Sequence, residues 1–282
     1  MKMVVLASTA LALIAGAASA ADLPRRAAPP PVFVPPPVFT WSGVYIGTHT
    51  AYTFNDRKRI TTTANEPLAA GLITAGIIPS VVSPRTRDDF ANFGGGFGIN
   101  YQLTPGSGFV IGAAIDADWT DLRRTTFVNG TPVGAIGTVN AYTQQLDWLA
   151  TANGRIGYAF DRLLVYGTGG AAIGHVRYGH SLFVGGGLIA DGGNGGNEVG
   201  YNFGGGIEYA IPTDSFLSNL SVLKLVGINL GGTTTLKAEY IHFDLGSKNV
   251  NVTDAFGAGL SATSRFRTEG NMVRAGFSYK FP

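Results

Sequence analysis

Eight strand-like stretches recur along this 282-residue chain, at roughly 41–54, 90–102, 109–121, 145–160, 163–176, 198–211, 233–245 and 268–281, and most outrun the five or six residues usual in a soluble strand. In several of them apolar and polar side chains alternate one by one. Period two puts one set on each face of a strand. Phe109, Ile111, Ala113, Ile115, Ala117 and Trp119 oppose Val110, Gly112, Ala114, Asp116, Asp118 and Thr120. Leu146, Trp148, Ala150, Ala152, Ile156, Tyr158 and Phe160 oppose Asp147, Thr151, Asn153 and Arg155. Tyr201, Phe203, Ile207, Tyr209 and Ile211 oppose Asn202, Gly204, Gly206 and Glu208, while Leu236, Ala238 and Tyr240 oppose Lys237 and Glu239. The last stretch sets Val273, Ala275, Phe277, Tyr279 and Phe281 against Arg274, Gly276, Ser278 and Lys280. The first and fifth stretches are ambiguous and receive no faces.

At about 3.3 Å per residue and a tilt near 40°, such strands cover an apolar band about 25 Å tall. Charged residues make up only 13% of the chain and hydrophobic ones 45%, yet after residue 20 no apolar run is long enough for a spanning helix. The reading is all-β: a transmembrane antiparallel up-and-down β-barrel of eight strands, occupying 41–282. The tight connections Leu103–Gly108 and Asp161-Arg162 mark its periplasmic side. The long polar or glycine-rich stretches 55–89, 122–144, 177–197 and 246–267 read as external loops, with GGNGGNE (192–198) as a mobile tip. The insert 212–232 is too long for a periplasmic turn and is expected to pack beneath the barrel mouth or to prolong its flanking strands. Leu220 to Leu230 read as a strand would make nine and place the two termini on opposite sides of the membrane; ten strands would be reached if GLITAGIIPSVV in the first loop supplied a further one.

The first twenty residues carry an early lysine, Lys2, then an apolar run and Ala18-Ser19-Ala20, and read as a secretory signal peptide over 1–20 cleaved after Ala20. Residues 21–40 form a proline-rich periplasmic leader, with seven of the 14 prolines in an extended polyproline II spacer. With no cysteine, neither a lipoprotein anchor nor a disulfide scaffold is available. A net charge of +2 with no large basic cluster argues against a nucleic-acid partner.

On these faces the lumen collects Asp116, Asp118, Asp147, Arg155, Glu208, Lys237, Glu239, Arg274 and Lys280, five acids and four bases. An eight-stranded barrel is just wide enough for side chains to fill. Buried charges persist when paired and hydrogen-bonded. These residues are therefore expected to form a structural network that closes the barrel, with the lining of a narrow porin-like channel as the alternative. The four histidines, His49, His175, His180 and His242, carry no metalloprotease spacing or nucleophile elbow. His175, His180 and Asp191 are the best remaining trio for chemistry at the external rim, and a solvated loop accounts for them more simply. No catalytic residue, metal or cofactor is expected. The GGG runs at 94–96 and 204–206 lie within strands, where glycine permits curvature or makes room for a large lumen neighbour.

The leader ADLPRRAAPPP, the first strand WSGVYIG, the stretch DWLATANGRIGYAFDRLLVYGTGGAAIG, KAEYIHFDLG and the terminal VRAGFSYKF occur in this order across nearly the whole mature chain. In that combination the chain resembles the eight-stranded outer-membrane immunogenic proteins of alphaproteobacteria, often labelled porin family proteins. The resemblance implies a small monomeric barrel with antigenic surface loops, a structural role in the envelope and no catalytic site. Outer-membrane lipid, lipopolysaccharide, periplasmic chaperones, the barrel-assembly machinery and a cell-wall or host contact are the expected partners. Phe277, Tyr279 and Phe281 would serve as the C-terminal assembly signal. Two features depart from the family: the 212–232 insert, and Pro282, which follows the aromatic that usually ends such chains.

Overall fold

The computed structural model describes residues 38–54, 59–83, 90–212 and 231–282. The signal peptide, most of the leader and 213–230 of the insert lie outside the described residues. The elements are β1 (Gly43–Phe54), β2 (Ile60–Ala64), α1 (Pro67–Thr74), β3 (Val81–Val82), β4 (Phe90–Gln102), β5 (Ser107–Val133), β6 (Ile136–Phe160), β7 (Leu163–Val184), β8 (Gly187–Ala210), β9 (Thr233–Asp254) and β10 (Ser261–Lys280).

Eight of these strands close into an antiparallel ring in the order β1-β4-β5-β6-β7-β8-β9-β10, with β10 returning to β1 from Tyr45↔Lys280 to Phe54↔Asn271. The short β2 and β3 extend the outer half of β10 and add no spanning strand. The apolar part of the first loop thus supplies α1 and a two-residue strand, and the ring keeps eight strands. No helix among the described residues is long and apolar enough to cross a membrane. Strands make the crossing.

Outward faces are apolar over the lower ring. Phe97, Ile99, Tyr101, Phe109, Ile111, Ile115, Ile156, Ile207 and Tyr209 are exposed, as a lipid-facing band requires. Phe93, Trp119 and Trp148 sit side by side across β4, β5 and β6 at the upper border of that band. Phe109 against Tyr158 marks the lower border.

Above the upper border the strands do not stop. The stretches read as loops are largely strand: β5 and β6 meet at Gly134-Ala135, β7 and β8 at Gly185-Gly186, and GGNGGNE lies within β8 rather than at a tip. The reason lies in their inward residues. Tyr142, Tyr178, Leu182, Val250, Val252 and Phe266 pack with Ile60, Ile78 and Ala69 of the first loop into an apolar core above the membrane band. Outward threonines, asparagines and glycines hide this periodicity in the sequence. Thr and Val also favour extended backbone.

Bulges lie near the border between the two zones. Pairings shift at Trp119/Leu122, at Leu146/Trp148 and at Arg267/Glu269. Each bulge inserts an unpaired residue and re-aims the side chains beyond it. On β6, Trp148 points outward but Leu146 is buried inside, so even-numbered residues change face at Asp147. Between β8 and β9 the ladder is interrupted from Asp191 to Tyr201. There Asn194 Nδ2 donates to the Asn249 carbonyl at 3.2 Å and Lys248 meets Glu198 at 2.9 Å.

Candidate functional site

The lumen is layered. At the turn end, Trp41 is buried with Val110, Ala159, Leu164 and Ala210. Its indole N–H donates to the Asp161 carbonyl at 3.0 Å, and its backbone N–H donates to Gln102 Oε1 at 2.7 Å. Gln102 Nε2 in turn donates to the Thr104 and Gly106 carbonyls. Asp161 takes φ 53° to make the two-residue turn, a left-handed conformation that aspartate tolerates.

Over this floor lie the charges. Arg155 sits between the rings of Tyr45 and Tyr166, at 5.2 and 4.3 Å from their centroids, and reaches Glu208 at 3.5 Å. Thr235 donates its hydroxyl to Glu208, and the Tyr166 hydroxyl donates to Glu239 at 3.2 Å. Lys237 lies 3.4 Å from Asp116 and 3.9 Å from Glu239. Arg274 donates to Asp118 through Nη2, and its Nη1 lies 3.5 Å from Glu239 and 3.9 Å from Asp116. His49 Nε2 is 2.9 Å from Asp118 Oδ1, and its Nδ1 is 4.0 Å from Asp116. Both side chains of the Arg274–Asp118 pair are wholly buried.

The space between Tyr45, His49, Asp116 and Lys237 holds no volume that a water molecule could occupy. Two glycines of FGGGFGIN make this fit possible. A Cβ at Gly94 would stand 2.6 Å from His49 Nε2 and 2.8 Å from Asp118 Oδ1, and one at Gly96 would collide with Asp116.

The structure gathers Asp116, Asp118, Arg155, Glu208, Lys237, Glu239 and Arg274 inside the ring. Lys280 also faces inward, but at the turn-end mouth, where its ammonium donates to the Ser42 and Phe281 carbonyls. Asp147 does not belong to the lumen. The Leu146–Trp148 bulge turns it outward, where Arg177 donates to both of its carboxylate oxygens at 2.6 and 3.0 Å. Without Asp147 the described residues of the interior include four acids, Asp116, Asp118, Glu208 and Glu239, and four bases, Arg155, Lys237, Arg274 and Lys280. The formal charges then cancel.

His49, Tyr45 and Tyr166 are the lumen residues that sequence reasoning missed. They sit on the first and fifth stretches, where the alternation is ambiguous. A signal existed in the first: Tyr45, Gly47, His49 and Ala51 fall on one face. The rim trio does not assemble. His175 and His180 project from opposite faces of β7. His175 meets Asn197 outside at 2.9 Å. His180 is buried inside, stacked on Tyr142 at 4.1 Å, with Ser264 and Asn140 at its ring nitrogens. Asp191 accepts from Ser181 instead. Among the described residues no three His, Asp or Glu side chains are grouped to hold a metal ion.

Of the terminal aromatics, Phe277 is partly exposed on the outer face. Tyr279 is buried against Gly232, whose N–H donates to its hydroxyl at 2.7 Å, and stacks edge-on with Phe281 at 5.3 Å. The Phe281 N–H donates to the Val44 carbonyl at 2.9 Å, and Pro282 is exposed beyond it.

No family model matches the chain. Among solved structures it is similar to the outer membrane protein OprG from Pseudomonas aeruginosa, with 10% identity, 85% of this chain and 96% of that chain covered, and a TM-score of 0.46. Neisserial surface protein A is similar at 11% identity and a TM-score of 0.33, over 85% of this chain and 98% of that chain. The 31 kDa outer-membrane immunogenic proteins of Brucella melitensis and Brucella suis are each 31% identical over 288 aligned residues, covering all of both chains. A full-length match at that identity, on a ring of eight strands with a lipid-facing band, places the chain in the bacterial outer membrane: it belongs to the family of the 31 kDa outer-membrane immunogenic proteins.

Proposed function

We propose that this protein is a closed barrel with a structural and surface-contact role in the envelope, and neither a channel nor an enzyme. One observation carries the reading: a charge-balanced network lies inside the ring, and the space between its Tyr45, His49, Asp116 and Lys237 holds no water-sized volume, above the apolar floor of Trp41, Val110 and Leu164. Buried charges arranged this way hold one another in place. Eight strands leave no aqueous channel of the kind found in sixteen-stranded porins. The outer half of the molecule, rooted in the membrane by the lower ring, is what a neighbouring surface meets. Outer-leaflet lipid and lipopolysaccharide surround its aromatic border. Phe277, Tyr279 and Phe281 serve as the signal read by the barrel-assembly machinery.

The osmotic swelling of liposomes carrying the refolded protein tests this reading. The closed barrel gives no more swelling with small sugars or amino acids than empty liposomes do. Swelling that depends on solute size would establish the narrow channel in its place.

A further inference from the structure

The end of the molecule farthest from the turns is unusual for a surface that faces water. The three hairpin tips, with their flanks at 125–146, 178–190 and 255–264, contain no Asp, Glu, Lys or Arg, and the one histidine among them, His180, is fully buried. In the adjoining 60–83 stretch the one acid is Glu66. Apolar side chains stand out from each tip. Val133 and Ile136 are about half exposed on the first, Leu188 on the second, and Phe256 is 76% exposed on the third.

The tips are tied into one rigid crown. Gly185 N–H donates to the Gly137 carbonyl at 3.0 Å, joining the first two, and Ala255 N–H donates to the Ile189 carbonyl at 2.9 Å, joining the second and third. Under Phe256, both carboxylate oxygens of Asp254 accept backbone N–H groups, from Phe256, Ala258 and Leu260. Those donors hold its carboxyl below the usual range and fix the loop.

We propose that this crown docks onto an uncharged, zwitterionic lipid surface, that of an apposed membrane. The inference deepens the surface-contact part of the reading above and rests on it. Three observations select lipid over a protein partner. The apolar side chains stand singly on separate tips, with bare glycines between them: a Cβ at Gly134, Gly186 or Gly257 would meet nothing within 4 Å. A fluid acyl-chain boundary fills such a convex, spaced array, whereas a folded partner needs a continuous complementary patch. The one carboxylate at the base of the third tip, Asp254, is already held by three backbone N–H groups, and the described tip residues beyond it carry no formal charge, so entering a headgroup layer leaves no ion unpaired there and selects no lipid charge. Because the crown is already ordered, insertion loses little conformational entropy.

The test uses full-length mature protein in nanodiscs, so that its lipid-facing band is already covered. It reads co-flotation with phosphatidylcholine vesicles against empty nanodiscs. Protein nanodiscs are expected to float with the vesicles equally at low and high salt. Replacing Ile136 and Phe256 together by aspartate should cut the bound fraction about tenfold or more, given the apolar area lost, while the melting temperature and the absence of solute swelling stay unchanged. Four results would each overturn the inference: flotation no greater than for empty nanodiscs, flotation confined to phosphatidylglycerol vesicles and lost at high salt, clustering of protein nanodiscs without vesicles, or full binding by the double variant. Absent flotation with no swelling sinks this inference and leaves the closed barrel standing. Swelling with intact flotation does the reverse.

Discussion

Arg274 has no exposed surface and lies between three carboxylates, on Asp118, Asp116 and Glu239. Truncating one member of a buried ion cluster leaves its partners charged and dry, at a cost of about 3–5 kcal/mol. Arg274→Ala should therefore lower the stability of the refolded barrel by about that much in urea titration. Lys280→Ala, which removes contacts to two carbonyls and to the Phe39 ring at the mouth, should cost about 1 kcal/mol. Equal effects from the two would mean that the network does not act as a unit. A second residue-scale test concerns His180. Burial pushes its pKa from 6.5 down to about 4, against the upward pull of Asp191. The unfolded chain binds this proton below pH 6.5 and the folded one only below about 4, so stability falls as pH drops through that window. At 1.36 kcal/mol per unit the loss amounts to roughly 3 kcal/mol. Melting of wild type and His180→Gln across pH 7 to 4 checks it: the wild type should lose its advantage as pH falls, and parallel curves would contradict the assignment.

At the scale of elements, faces were legible wherever alternation ran unbroken, as on Phe109–Thr120. They were lost where the chain bulges. Nothing in Gln145-Leu146-Asp147-Trp148 announces an unpaired residue: there is no glycine or proline, and strict alternation sends Asp147 inward with Leu149. The tertiary ladder decides its place. The extensions were illegible for a related reason. Val250, Val252 and Ala262 look scattered among polar residues until the strands are paired and the inward set meets α1 and Ile78. A direct consequence is hydrogen exchange. Amides of 125–129 and 139–143, paired across β5 and β6, should exchange on the timescale of the membrane band, not of loops. Exchange at loop rates would restore the external-loop reading of 122–144. At the other end, Phe281 closes the ring through Val44, and Pro282 lies past it. Deleting Pro282 should leave insertion into the outer membrane unchanged or faster. A loss of insertion would show that the signal does not end at Phe281.

Across the whole molecule, the barrel class and its strand number followed from period two, segment length and the tight turns at 103–108 and 161–162. The candidate site was only partly visible. Charges on strands with clear faces could be placed in the lumen, but His49, Tyr45 and Tyr166 needed the ring closure of β1 against β10 and the packing of β7. What closure adds is balance: among the described residues, four acids and four bases inside the ring, floored by Trp41 and roofed by the apolar core of the extensions. On the proposed reading this stack is shut. Single-channel recording of the refolded protein in a planar bilayer tests it most directly. The wild type should be silent, and stay silent across salt concentrations; discrete, reproducible conductance steps from the wild type would contradict the account.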